Sequence, residues 1–392
     1  MQRLAILAAL AACTSEDPAA TDAAAPQLPA TPYAYNVALP PHVMMSITPG
    51  VDNTPAANPI TDAGATLGRV LFFDKQLSIS GTISCSSCHR GAVGFADDVV
   101  ASAGFADEGT ARNAMALEEV RFYSRGRMFW DERAATLEDQ VLQPIQNEIE
   151  MGMTLDEVVA RINRRSFYPP LFTAAFGDGR VTSDRIARAL AQYVRSIASW
   201  NSKWDQGVIQ VASIADPFPN FSAEENRGKT LFFGQHDLTT RGLCGTCHMR
   251  DNPLATRPPM PNPPPQVNLA FFQSIGPTDN GLPTLEGDLG VGGQTGVPQQ
   301  RNLFKPSSLR NVAVTAPYMH DGRFATLEEV VDYYDHGITA TPNLHPLLRN
   351  ADGTPLRLQL SPADRSALVA FLKTLTDTSL ASDPRFSDPF VQ

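Results

Sequence analysis

The chain has 392 residues, 43% hydrophobic content and a formal net charge of −10, enough for two or three domains around real cores. With no basic run anywhere, this balance argues against nucleic acid as a partner and would instead attract a basic protein. The chain holds five Cys and seven His, and four of the five Cys fall into two motifs described below.

At the start, Met1 to Arg3 carry a positive charge, Leu4 to Ala12 are nine apolar residues, and Leu10-Ala11-Ala12-Cys13 resembles a bacterial lipobox. Nine apolar residues fall short of the ~20 that a membrane-spanning helix needs. Residues 1–12 therefore read as an export signal cut before a lipidated Cys13, the alternative being an ordinary export signal with an incidental Cys. Either reading places the protein in the periplasm, with membrane contact only through a lipid on Cys13. Residues 13–41, rich in Ala, Pro, Thr and Asp, read as a flexible tether.

Two domains are expected next, over 42–210 and 211–392. Cys85-Ser86-Ser87-Cys88-His89 is a CxxCH, and Cys244-Gly245-Thr246-Cys247-His248 repeats it 159 residues later. Two thiols at this spacing reach the two vinyl groups of one haem, and the adjacent His falls under the iron. A CxxC redox pair would want a βαβ setting that neither motif has. Gly68-Arg69-Val70-Leu71-Phe72-Phe73 precedes the first motif by 17 residues, and Gly228-Lys229-Thr230-Leu231-Phe232-Phe233 precedes the second by 16. The chain thus reads as one unit used twice.

Ser222-Ala223-Glu224-Glu225 has the form of a capping box and predicts a helix start. Each half closes on an amphipathic helix, with Ile186, Leu190, Val194 and Ile197 on one face in the first. Leu368, Phe371, Leu372 and Leu375 do the same in the second, after Ser361-Pro362. The linker is expected in 206–221, and Pro-rich 257–265 and Gly-rich 279–295 read as loops.

Further blocks stand around the motifs: Arg112-Asn113, Phe129-Trp130-Asp131-Glu132-Arg133-Ala134, the run from Gln140 to Glu150-Met151-Gly152, and Ser308-Leu309-Arg310-Asn311-Val312 through Thr315-Ala316-Pro317-Tyr318-Met319-His320-Asp321-Gly322. With them, residues 60–377 resemble the bacterial dihaem cytochrome c peroxidases and the closely similar MauG enzymes, which oxidise a partner protein. The resemblance implies a mainly α fold of two cytochrome c-like haem domains with long loops, the haems facing the domain interface.

It also implies roles. His89 would ligate the first iron, with no His between Arg90 and Phe129 to cap the other face. Glu150 matches the distal acid/base carboxylate, with Gln140 and Pro144 as distal-pocket residues; the residues alone do not separate Glu150 from Glu148. Trp130, by itself a core aromatic, would relay electrons between haems. His248 and Tyr334 would ligate the second iron, Tyr334 standing where the peroxidases carry Met. Met319, His320 and His336 compete for that place, and Tyr333 falls on another helix face.

Asn113, Thr315 and Pro317 match a calcium site. Arg310 would meet a haem propionate or form a structural salt bridge. His42, His236 and His345 read as ordinary surface or loop histidines.

Three functions are weighed. A peroxidase would reduce hydrogen peroxide with electrons from a small cytochrome c or a copper protein. A MauG-like oxidase would use a peroxide-derived high-valent dihaem state to modify an oxidisable partner protein. A plain electron-transfer cytochrome is disfavoured by an open distal face. Tyr334 and the missing distal His favour the second; Gly242, standing where MauG has a surface Trp, favours the first.

Overall fold

A computed structural model describes residues 25–44, 50–234, 244–248, 270–273, 276–285 and 287–390. The export signal, Cys13, His236, Gly242 and the Pro-rich loop 257–265 lie outside the described residues. The main helices are α1 (Asp62–Phe73), α2 (Cys85–Cys88), α3 (Ser183–Ser196), α4 (Ala223–Phe232), α5 (Cys244–Cys247), α6 (Leu327–Asp332) and α7 (Pro362–Lys373). Among the described residues β-pairing is limited to isolated bridges, so the fold is mainly α, as expected.

Local chemistry starts these helices where the sequence places them. Ser222 Oγ accepts from the Glu225 N–H while Glu225 accepts from the Ser222 N–H, the reciprocal pair of a capping box. Ser361 caps α7 with Pro362 in its first turn. The predicted apolar faces of α3 and α7 are buried throughout. Each such aliphatic or aromatic side chain contributes about 1.5–3 kcal/mol by leaving water. One core gathers around α1 and α3, the other around α4 and α7.

The repeated glycine has a physical cause. α1 crosses α3 so closely that a Cβ on Gly68 would lie 2.0 Å from the Ala189 carbonyl oxygen. α4 crosses α7 in the same way, and a Cβ on Gly228 would lie 1.8 Å from that of Ala367. Because the obstacle is backbone, a side chain cannot rotate aside. Gly68→Ala and Gly228→Ala should each cost about 1–3 kcal/mol or more as overpacking, whereas Gly293→Ala, whose nearest neighbour is 3.5 Å away, should change the thermal midpoint little. Equal midpoints for all three would remove the close-approach explanation.

The repeat also runs further than the motifs and their flanking segments. Met128 bridges Ala134, and Tyr318 bridges Phe324. Inside these turns Phe129 and Met319 both have positive φ (68° and 75°), as do Glu132 and Gly322 (53° and 63°). Each turn then enters a helix capped by threonine, Thr136 accepting from Asp139 and Thr326 from Glu329. Trp130 and His320 therefore occupy equivalent places. The sequence signal, Asp-x-Arg-x-Ala-Thr-Leu-Glu in both copies from Asp131 and Asp321, is visible once the turns are superposed.

Three stretches outside the main helices are packed into the cores. Over its described part the tether is packed: the Tyr35 N–H donates to Asp62, its ring is buried against Tyr193, and the Gln27 N–H donates to the Pro389 carbonyl. Phe218 and Phe221 of the expected linker pack in the second core, where Trp204 joins them. The C-terminal tail returns to the first half, with Leu380 and Phe386 in its core and Arg69 donating to the Ser387 carbonyl. In each stretch an aromatic side chain is buried: Tyr35, Phe218 and Phe386.

Candidate functional site

At the first motif, α2 is one turn, braced by the Ser84 N–H donating to Ser87 Oγ. His89 follows at its end, its N–H donating to the Cys85 carbonyl. The imidazole Nδ1 lies 2.9 Å from the Phe95 carbonyl oxygen. A carbonyl only accepts, so Nδ1 carries the proton and the Nε2 lone pair is left for an iron. Burial lowers the His89 pKa against the pull of that carbonyl, keeping the ring neutral, as a metal ligand must be.

Glu150 sits over this motif. Burial raises both motif thiols, Cys85 to about 12, and the charge of Glu150 pushes both further up. Burial also raises the pKa of Glu150 itself, opposed by Arg133. Its position is set by backbone packing, since a Cβ on Gly104 would lie 1.7 Å from the Ile149 carbonyl oxygen and 3.3 Å from the Glu150 Cα. Glu148 is exposed. Gln140 ends the turn Leu137–Gln140 and is half-buried; Pro144 lies in the next turn, Gln143–Gln146.

The second motif opens on a large cavity. Cys244, Cys247 and His248 line it, with apolar walls from α6 and α7 including Val331 and Leu368. The His248 N–H donates to the Cys244 carbonyl, and its buried Nδ1 has no partner among the described residues. Tyr334 enters from a π-helical turn, Tyr333–Gly337, a distortion that often marks functional sites. Its hydroxyl accepts from Asn280 Nδ2 at 3.2 Å. Burial pushes its pKa up to about 12, with Cys247 and Cys244 adding to the rise, so the phenol and the thiols face one space.

Of the competitors, Met319 and His320 also line the cavity. His336 is exposed, beside Asp335, and Tyr333 turns its hydroxyl to the Asn280 carbonyl.

Between the halves, Trp130 lines the same cavity and its Nε1 donates to the Asn113 carbonyl at 2.8 Å. Its ring meets His320 edge-on, at 6.4 Å between centroids. Asn113 Nδ2 donates to the Val99 carbonyl, which leaves Oδ1 as an acceptor for a hard cation. Thr315 and Pro317 line the cavity with it.

A family model described as di-haem cytochrome c peroxidase matches residues 62–211. Methylamine utilization protein MauG of Methylorubrum extorquens is 32% identical over 82% of this chain and 80% of its own length. Cytochrome c551 peroxidase of Nitrosomonas europaea is 31% identical over 80% of this chain and 79% of its own. The chain belongs to the di-haem cytochrome c peroxidase and MauG family.

The crystal structure of a MauG-like protein associated with microbial copper homeostasis is 33% identical, with a TM-score of 0.69 over 90% of this chain and 99% of the other. The diheme peroxidase BthA of Burkholderia thailandensis, at 24% identity, shares the fold, with a TM-score of 0.65 over 84% of this chain and 90% of its own. As a family member the protein is a dihaem peroxidase-type oxidoreductase. The two CxxCH sites fit two covalent haems: paired thiols, a neutral His89 and, at the second, an apolar cavity. Among the described residues no helix is long and apolar enough to cross a membrane.

Of the two readings of Arg310, the structure shows the salt bridge. Arg310 does not line the cavity; it is fully buried and donates to both oxygens of Asp205 at 2.8 and 2.9 Å, and to the Ser199 and Ala270 carbonyls. A guanidinium so occupied has no fork left for a propionate. His42 joins this cluster, its Nε2 3.0 Å from Asp205, so it is not a surface histidine. His345 is a loop residue, its Nδ1 accepting from the Leu347 N–H.

Proposed function

We propose that this protein reduces hydrogen peroxide to water at the haem held by Cys85, Cys88 and His89, with Glu150 moving the proton. The observation that carries the reading is the position of Glu150, half-buried and within electrostatic reach of both motif thiols. The haem supplies an iron that exchanges electrons with peroxide. Glu150 accepts the proton of the inner peroxide oxygen and returns it to the outer one, which leaves as water when the O–O bond breaks. Two electrons and two further protons complete two waters per peroxide. Burial keeps the Glu150 carboxyl easier to protonate than an exposed one, which suits a group that must return its proton.

The electrons would come from a small cytochrome c or copper protein; Cys244, Cys247 and His248 would hold the haem that receives them, and Trp130 would relay them toward the first site. Cys85, Cys88 and His89 would hold one haem and Cys244, Cys247 and His248 the other, and Asn113, Thr315 and Pro317 would hold a calcium ion. The site of action is the periplasm, reached through the export signal of residues 1–12.

One observation favours a second reading, oxidation of a partner protein. Tyr334 shares the cavity with the motif thiols and accepts a hydrogen bond from Asn280, and a phenolate on the second iron stabilises its oxidised states. Mixing the diferric protein with one equivalent of peroxide, without donor, separates the readings. A persistent two-electron-oxidised spectrum supports protein oxidation; decay without one, together with fast turnover once a cytochrome donor is added, supports the peroxidase. Tyr334→Phe should change the second haem's spectrum and leave the first untouched. An unchanged spectrum would exclude ligation by Tyr334.

A further inference from the structure

With Arg310 committed to Asp205, the haem edge at the second cavity needs another cation. Lys305 lies five residues earlier on the same segment. It is 4% exposed, it lines the cavity, and its N–H donates to the Trp130 carbonyl at 2.7 Å, which pins it to the seam between the halves. Its Nζ lies 4.5 Å from the centre of the Tyr123 ring.

A buried ammonium is costly unless an anion meets it. The nearby carboxylate, Glu132, is already bound by Arg125 through both oxygens and by the Tyr123 hydroxyl. No hydrogen bond or ion pair to Lys305 Nζ occurs among the described residues. Burial lowers its pKa to about 8, Glu132 opposing. Close by on the same wall, His320 is stacked on Phe304 and lines the cavity, and its buried Nε2 has no partner among the described residues. Two residues whose side chains carry a nitrogen without an acceptor among the described residues thus line one apolar cavity. The ligand this cavity suits brings its own carboxylates.

We propose that Lys305 anchors a propionate of the second haem, its ammonium pairing with the carboxylate at the seam beside Trp130. The proposal rests on the reading that the second haem fills the cavity of Cys244, Cys247 and His248. Lys305 is a positioning residue: it fixes the porphyrin edge against Trp130 and places a positive charge beside the second iron. A nearby cation disfavours the ferric state, so it raises the reduction potential of that haem.

The experiment is a spectroscopic redox titration of both haems in the full chain carrying Lys305→Met, Lys305→Gln or Lys305→Arg, with haem content determined by mass. Mass reading two covalent haems establishes the occupied cavity independently of Lys305. The neutral variants should then lower the second haem's midpoint potential and leave the first unchanged, while Lys305→Arg restores it. An unshifted second potential, or a shift confined to the first haem, overturns the proposal. Should neither neutral variant fold, resonance Raman of Lys305→Arg against the native protein reads the same contact. A displaced propionate-bending band of the second haem supports it, and an identical band overturns it.

Discussion

Glu150→Gln is expected to slow peroxide-dependent turnover by about 10²-fold or more, the usual loss when a positioned acid/base group is removed. The amide keeps the shape and the burial but cannot take and return a proton. Because burial raises the Glu150 pKa, the acid limb of the native pH profile should lie above the ordinary carboxylate range, with activity falling as pH drops through it and the base becomes protonated. Glu150→Gln should abolish that limb, whereas Glu148→Gln, at an exposed position two residues away, should leave both rate and profile in place. Stopped-flow mixing with peroxide measures each. A native rate in the Glu150→Gln variant would remove Glu150 from the mechanism and leave the first haem's reactivity to the iron alone.

The largest loss of stability should come from Asp205→Ala, at about 3–5 kcal/mol, because it strands the Arg310 guanidinium in the interior. Burial by itself would raise the Asp205 pKa, but Arg310, with hydrogen bonds from Arg310, His42 and Ser202, outweighs it and holds the carboxyl well below its usual range. The sign of the pH dependence follows. The folded pKa is depressed, so the stabilisation is fully present above about pH 4, the unfolded value, and is lost as pH falls toward the folded one. By contrast, Glu328→Ala at the exposed pair with Lys373, 3.6 Å apart, should cost at most about 1 kcal/mol. Denaturant unfolding of the two variants at neutral pH decides this. A loss at Asp205 no larger than at Glu328 would mean that the Arg310 cluster is not what joins this part of the chain.

Several features were legible because their chemistry is local. A CxxCH needs only five consecutive residues, and an N-cap such as Ser222 needs a partner three positions on. The faces of α3 and α7 follow from the helical period, and the repeat of Gly68 and Gly228 could be read from their near-equal offsets before the motifs. Glu150 could be chosen over Glu148 only through resemblance, since two carboxylates two residues apart differ in nothing a pattern records. What separates them is burial, which the packing of Gly104 against Ile149 and Glu150 imposes.

The sequence by itself determined the two CxxCH motifs, the helical class, the twofold repeat and the family. Tertiary structure decided which charges are spent and which are left over. It gave Arg310 to Asp205, 105 residues away, with His42 beside them, and left Lys305 facing the cavity. It packed Phe218 and Phe221 with Trp204, set residues of the expected tether against α1 and α3, and brought Trp130 against its repeat partner His320. The reason is the range of the forces. Caps and helical faces are set by neighbours within one or two turns, whereas the pairing of a buried charge depends on which distant segments the collapse of two cores brings into contact.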